Sequence, residues 1–263
     1  MPNFSNLDPE KQFVLLKGEP GTRKSTLALS YPGPQYWFSY DRKMEGIILP
    51  FKLHKHTPDH ITYDDYEGWN KSATVGVPSA CKKLELFQAK CEYNTIVIDS
   101  VTSMADMSLR EITKTKDGGK MIGGMKISSV EDLNAESTAV AEMIALLKDI
   151  QAYHATQGRK ITIILIAHVI EVSYKSLTGG TTKSRTIITA GSKVAAKLPA
   201  YCTEVYQCNQ SGNTIGNIKY EVITEHIGED FARTSIGLPG KIDWTDKQFY
   251  GEFVKPAVAK LKG

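Results

Sequence analysis

The sequence predicts an α/β fold of three layers around a mainly parallel sheet. Three observations carry that prediction: short apolar, β-rich runs at wide intervals, a helical stripe between two of them, and an alternating pair of runs near the end of the chain. The apolar runs are FVLL (13–16), YWFSY (36–40), TIVID (95–99) and ITIILIA (161–167). Continuous apolar runs are what strands buried on both faces require. Between the last two, Val140, Met143, Ile144, Leu147 and Ile150 recur at a spacing that turns one helix face to the sheet. A second helix is predicted over Ser79 to Lys90. Strands that alternate with helices form a doubly covered sheet, with ligands gathered at the carboxyl ends of the strands. The tail EVYQCNQSGNTIGNIKYEVIT has two alternating runs around a Gly/Asn/Ser turn, which predicts an antiparallel hairpin extending the sheet.

With 263 residues and no repeat or low-complexity linker, the chain fits one large domain over 1–263, with residues 1–10 as an N-terminal arm. A formal charge of +3 is too small to imply nucleic-acid binding by itself, so basic residues must act through local clustering. No run of about 18 apolar residues occurs and MPNFSNLDPE lacks a secretory pattern, which leads to the expectation of a cytoplasmic protein. Cys81, Cys91, Cys202 and Cys208 form no CxxC pair, so free or buried thiols are expected. His54, His56 and His60 precede two of these cysteines, but the spacing fits no compact zinc module. Two stretches, roughly 108–130 and 173–193, are rich in Gly, Ser, Thr and Lys without periodicity and are expected to be long surface loops, which often carry function.

The run GEPGTRKST directly follows the first apolar strand. Phosphate-cradling loops of the form GxxxxGK[ST] use glycines to turn backbone N–H groups inward, a lysine for the outer phosphates and a hydroxyl for Mg²⁺. Gly18, Glu19, Pro20, Gly21, Thr22, Arg23, Lys24, Ser25 and Thr26 supply this loop. Arg23 stands where a glycine is usual. If that position needs a positive φ, the arginine costs on the order of 1 to 2 kcal/mol, which would weaken binding without abolishing it; its guanidinium could lie against a phosphate.

Polar residues follow the other strands. Asp99 ends TIVID, where a carboxylate can join Ser25 in holding magnesium; an aspartate capping the next helix is the alternative. Asp41 follows YWFSY and could orient an attacking water, although Glu45 lies near and acidic turn residues are common. His168 ends IILIAH, where a polar group can contact the outer phosphate or serve a structural role.

GEPGTRKST, YWFSYDRK, TIVIDSVTSM, ITIILIAH, LPAYCTEVYQC and FARTSIGLPGKIDW, in this order, give a chain that resembles the core-only RecA-like P-loop ATPases of bacteriophages, associated with single-strand annealing and recombination. The resemblance spans about residues 11–245. It implies a three-layer P-loop NTPase of RecA-like type, in which ITIILIAH lies between the phosphate-loop strand and TIVIDS. It implies ATP and Mg²⁺ as cofactors, a ring or filament of identical subunits, single-stranded DNA and a single-stranded-DNA-binding protein as partners, and action in the cytoplasm of the infected host. Two loops would face the DNA, one with Lys114, Lys116, Lys120 and Lys126, the other with Lys175, Lys183, Arg185 and Lys193; solvated surface charge is the alternative reading of these residues. Arg233, in EDFARTS, would complete a neighbour's nucleotide site, with a plain surface residue as the alternative. Phe4 or Leu7 of the arm could dock on that neighbour. The departures are Arg23 and the lack of further terminal domains. The functions left open are a DNA-dependent ATPase, a nucleotide-regulated interaction module with little turnover, and a hexameric helicase-like motor.

Overall fold

The structure, a computed structural model, describes residues 9–53, 60–66, 80–115, 121–122, 125–126, 128–175, 181–189, 192–212, 217–226, 231–245 and 247–262. In chain order the elements are β1 (Phe13–Gly18), α1 (Lys24–Leu29), β2 (Gln35–Ser39), α2 (Met44–Leu53), β3 (Ile61–Asp65), α3 (Ala80–Ala89), β4 (Thr95–Asp99), α4 (Val101–Thr115), β5 (Met121–Ile122), β6 (Met125–Lys126), α5 (Val130–Thr156), β7 (Thr162–Lys175), β8 (Thr181–Ile187), α6 (Ser192–Tyr201), β9 (Glu204–Ser211), β10 (Lys219–Ile223), β11 (Lys241–Asp243), a π-helical turn (Tyr250–Val254) and α7 (Lys255–Lys262).

Among the described residues the main sheet runs β11-β10-β9-β1-β7-β4-β2-β3, with β8 paired to β7 off this path. The six strands from β9 to β3 are mutually parallel; β10 and β11 extend the sheet antiparallel. This is the expected RecA-like order, with β7 inserted between β1 and β4. Strands β1, β2 and β4 are buried along their whole length, which accounts for their unbroken apolar sequence.

Strand alternation divides the core into two layers. Phe13 and Leu15 of β1 pack with α3, α4, α5 and α6 on one face. Val14 and Leu16 pack on the other face with α1, β10, the π turn and α7. Helix α5 is longer than its apolar stripe because a capping box starts it: Ser129 Oγ accepts from the Asp132 N–H, and Asp132 accepts from the Ser129 N–H. All four cysteines are free and buried. Among the described residues no helix is long and apolar enough to cross a membrane.

Both expected loops hold regular structure. Residues 108–115 complete α4, and Met121–Ile122 pairs with Met125–Lys126. In the second, β7 runs seven residues past His168 and pairs antiparallel with β8, from Val169↔Ile187 to Lys175↔Thr181, and Ser192–Tyr201 is a helix. The run TTKSRTI is polar up to its last residue, so no apolar alternation announces it, yet backbone pairing makes it a strand. The arm residues Phe4 and Leu7, and His54 and His56, lie outside the described residues.

Gln151 ties α5 to the sheet: its Nε2 donates to Gln12 O (2.9 Å) and Ile161 O (2.7 Å), just ahead of β1 and β7. Replacement by alanine removes both bonds, leaving Gln12 O with the Ile163 N–H (3.0 Å) but taking a donor from buried Ile161 O, and is expected to lower stability by about 1–3 kcal/mol, read as the urea midpoint; an unchanged midpoint would show that the tie is dispensable.

Candidate functional site

Sheet register brings four strand ends level. Gly18 pairs with His168 on one side and Cys208 on the other, and Asp99 pairs with Ile166 and Ser39. Position 18 must be glycine for the loop to start this close to β9, because a Cβ there would lie 2.4 Å from the Cys208 carbonyl oxygen. Gly21 has φ +85°, open to glycine at little cost. Thr22 Oγ1 closes the turn by donating to Glu19 O at 2.8 Å.

Lys24 is buried and lies across this loop, with Nζ donating to Gly18 O (2.9 Å) and Glu19 O (2.8 Å). Burial lowers its pKa, opposed by Cys208, Asp99 and Asp41. Ser25 Oγ donates to Asp99 Oδ2 at 2.8 Å. The next residues of β4 and β2 join in: Ser100 Oγ donates to Asp41 Oδ1 at 2.9 Å, and His168 Nε2 lies 3.3 Å from Asp41 Oδ2. The Asp99 carbonyl accepts from the Tyr40 and Asp41 N–H groups, which folds the end of β2 over β4. Thr102 Oγ1 accepts from the His168 N–H at 3.0 Å. His168 Nδ1 is buried without a hydrogen-bond partner among the described residues.

The two carboxyl groups are driven apart. Burial, reinforced by the charge of Asp41, pushes Asp99 up to about 6. Asp41 is also penalised by burial, but hydrogen bonds from His168, Ser103 and Ser100 outweigh this and hold it well below the usual carboxylate range. Asp99 is thus the group that gains most from a nearby cation, and Asp41 a firm hydrogen-bond acceptor.

A phosphate loop, a strand-tip carboxylate bonded to its serine and a second carboxylate paired with a histidine stand together in this geometry. A family model described as an AAA domain matches residues 10–235. The chain belongs to the AAA domain family. Among solved structures, the flagellar accessory protein FlaH from Methanocaldococcus jannaschii is similar at 11% identity and a TM-score of 0.47, over 90% of this chain and 86% of that one. A prototypical ATPase from the type III secretion system of pathogenic bacteria is similar at 12% identity and a TM-score of 0.40, over 76% of this chain and 51% of that one. Among curated proteins none matches.

In this AAA domain protein Arg23 has φ 56° and ψ 31°. The left-handed conformation costs a non-glycine residue about 1–2 kcal/mol. Its guanidinium stacks on the Tyr220 ring, 3.9 Å from the centroid, a contact worth about 0.5–2 kcal/mol. Sequence reasoning let the side chain lie against a phosphate; in the structure it lies on an aromatic ring of β10. Thr26 is half-buried in the first turn of α1.

Arg185 comes close to the loop. Its Nη1 donates to Asn209 Oδ1 at 3.2 Å, and it lines a cleft of about 300 Å³ with Glu19, Pro20, Thr22, Asn209 and Gln210. Arg233 does not join the site. It bridges to Val205, near the start of β9, and its Nη2 donates to the Pro199 and Cys202 carbonyls at the end of α6. Those contacts occupy the group that the resemblance assigned to a neighbour's site. Lys114 is on the last turn of α4, Lys126 on β6, Lys175 and Lys183 on the β7–β8 hairpin and Lys193 in α6, whereas Lys116 and Lys120 lie outside the described residues. Ser100, Thr102, Asn209 and Tyr220 were missed by sequence reasoning. Ser100 and Thr102 directly follow a strand-end aspartate, a signal that could have found them; Asn209 and Tyr220 reach the loop only through tertiary pairing.

A raised pKa means that ionised Asp99 opposes folding above about pH 6, and that the opposition fades as pH falls through 6 toward the ordinary value of 3.8. Asp99→Asn is therefore expected to raise thermal stability at pH 8, by on the order of 3 kcal/mol at most, with the gain vanishing near pH 4. Equal gains at both pH values would contradict this assignment.

Proposed function

We propose that this P-loop ATPase domain binds ATP with Mg²⁺ at Gly18–Thr26, hydrolyses it, and couples that cycle to single-stranded DNA in phage recombination, annealing or repair. The observation that carries the nucleotide reading is the 2.8 Å bond from Ser25 to Asp99, which joins the loop hydroxyl to the strand-tip carboxylate beside buried Lys24. Lys24 would exchange its loop carbonyls for phosphate oxygens. Ser25 and Asp99 are adjacent hard oxygen donors and fit Mg²⁺, which needs only one or two protein ligands when it rides on a nucleotide. Among the described residues no cluster of three or more His, Cys, Asp or Glu would hold a metal alone. When bound, Mg²⁺ supplies neutralisation of phosphate charge.

Asp41 would orient the attacking water as an acceptor, a task suited to a carboxylate held ionised. His168 would report the state of the outer phosphate, since its ring touches Asp41 and its strand continues without a break into the β7–β8 hairpin. Lys175 and Lys183 on that hairpin, with Lys114, Lys116, Lys120, Lys126 and Lys193, would follow a DNA backbone without reading bases. Arg185, at the base of the hairpin and beside the phosphate loop, fits a coupling role better than direct DNA contact. Assembly into a ring or filament, partnership with a single-stranded-DNA-binding protein and action in the host cytoplasm belong to the same proposal. Arg233 as a trans-acting residue would require release from its carbonyl partners. The second reading, a nucleotide-regulated module with little turnover, is favoured by the strained Arg23.

ATP turnover measured with and without single-stranded DNA separates the two, with DNA expected to accelerate turnover. Lys175→Ala and Lys183→Ala are each expected to reduce the salt slope of DNA binding by about 1. Saturable ATP binding with no turnover in any condition would favour the module, and salt-independent DNA binding would remove the hairpin from the DNA path.

A further inference from the structure

The C-terminal part of the chain grips the phosphate-loop helix at both ends. At its start, the Arg23 guanidinium lies 3.9 Å above the Tyr220 ring. Just past its end, Ser30 Oγ accepts from the Tyr250 N–H at 3.1 Å, and the Tyr31 and Tyr250 rings meet at 5.0 Å. Tyr220 is itself held firmly. Its N–H donates to Thr245 Oγ1 (2.9 Å), its carbonyl accepts from the Trp244 N–H (3.0 Å), and it pairs with Gln210 across β9. Only 8% of its surface is exposed, so the ring is a fixed platform; Trp244 packs beside it at 6.2 Å, and Phe249 beside Trp244 at 6.4 Å.

We infer that Tyr220 is a positioning residue for the phosphate loop, and that it replaces by stacking what the missing glycine would supply by conformational freedom. The inference rests on the nucleotide reading above and names a residue that acts on that site through Arg23. An arginine at φ 56° disfavours the turn that sets Lys24 and Ser25. With Tyr220 fixed, the guanidinium is stacked while residue 23 is left-handed, so the stacking favours the loop in the turned form. It also keeps that charge outside the loop, leaving Lys24 as the cation within it. Arg23 and Tyr220 thus form a pair whose parts make sense only together: a glycine in that place needs no aromatic platform, and an arginine does.

The test is a double-mutant cycle over the natural protein, Tyr220→Leu, Arg23→Gly and the combined variant, with Tyr220→Phe as the conservative control. Mg-ATP affinity is read by calorimetry and, without nucleotide, the thermal midpoint. Tyr220→Leu is expected to weaken ATP binding by about 5- to 10-fold when Arg23 is present but by less than about 2-fold in the Arg23→Gly background. Tyr220→Phe, which keeps the ring, is expected to bind as the natural protein does. Equal losses in both backgrounds, or Tyr220→Phe as damaging as Tyr220→Leu, would reduce Tyr220 to a packing residue and overturn the inference. If none of the proteins bound ATP, the nucleotide reading would fail and the thermal cycle would decide the pairing: a larger fall in midpoint on Tyr220→Leu with Arg23 present than in the Arg23→Gly background upholds it, and equal falls overturn it.

Discussion

The site depends on one geometric constraint: β7 stands between the strand that launches the phosphate loop and the strand that ends in Asp99. Two strand spacings, roughly 10 Å, separate β1 from β4, so the loop must arch across β7 for Ser25 to reach Asp99 at 2.8 Å. The glycine at 18 and the positive φ of Gly21 and Arg23 serve that arch. The residue of β7 level with Gly18 then lies at the crossing, and in this chain it is His168. Its ring meets Asp41, which arrives from the far side of β4 because the Asp99 carbonyl draws the end of β2 inward.

This crowding sets the electrostatics. Two carboxyl groups share a poorly hydrated corner, and their hydrogen-bond partners are unequal. Asp41 takes His168, Ser103 and Ser100, whereas the Asp99 carboxyl takes only Ser25 among the contacts described above. One is held ionised and the other is pushed toward protonation, the separation of roles by environment that sites handling charged groups exploit. A divalent cation beside Ser25 would remove the penalty on Asp99, so the corner is most strained electrostatically where a cation would be most welcome.

Much of this was legible in the sequence because burial on both faces leaves an apolar signature. TIVID was placed with the bounds the strand has, Thr95–Asp99, and FVLLKG leads directly into the loop. Asp41, Asp99 and His168 were found as polar residues following apolar strands, and the structure brings them together with Lys24 and Ser25. The β7–β8 hairpin was missed: Ile170, Val172 and Tyr174 alternate with Glu171, Ser173 and Lys175 along the outer half of β7, but the polar run TTKSRTI gives no matching signal for the strand that pairs with it. Arg23 was read as an irregularity, and its partner could not be found, since Tyr220 comes from a strand at the other end of the chain with nothing local to connect the two. The contacts Arg233 makes within its own chain were hidden for a related reason. A basic residue in a polar segment gives no sign that helix-end carbonyls will claim its guanidinium.

The central claim is that the arch from Gly18 to Thr26 cradles a nucleoside triphosphate through Lys24. It is tested most directly by titrating labelled Mg-ATP into the natural protein and into Lys24→Ala, after confirming equal folding by circular dichroism. Saturable uptake with one ATP per chain, lost in the variant, is the expected result. Identical uptake by both proteins, or none by the natural one, would contradict the claim.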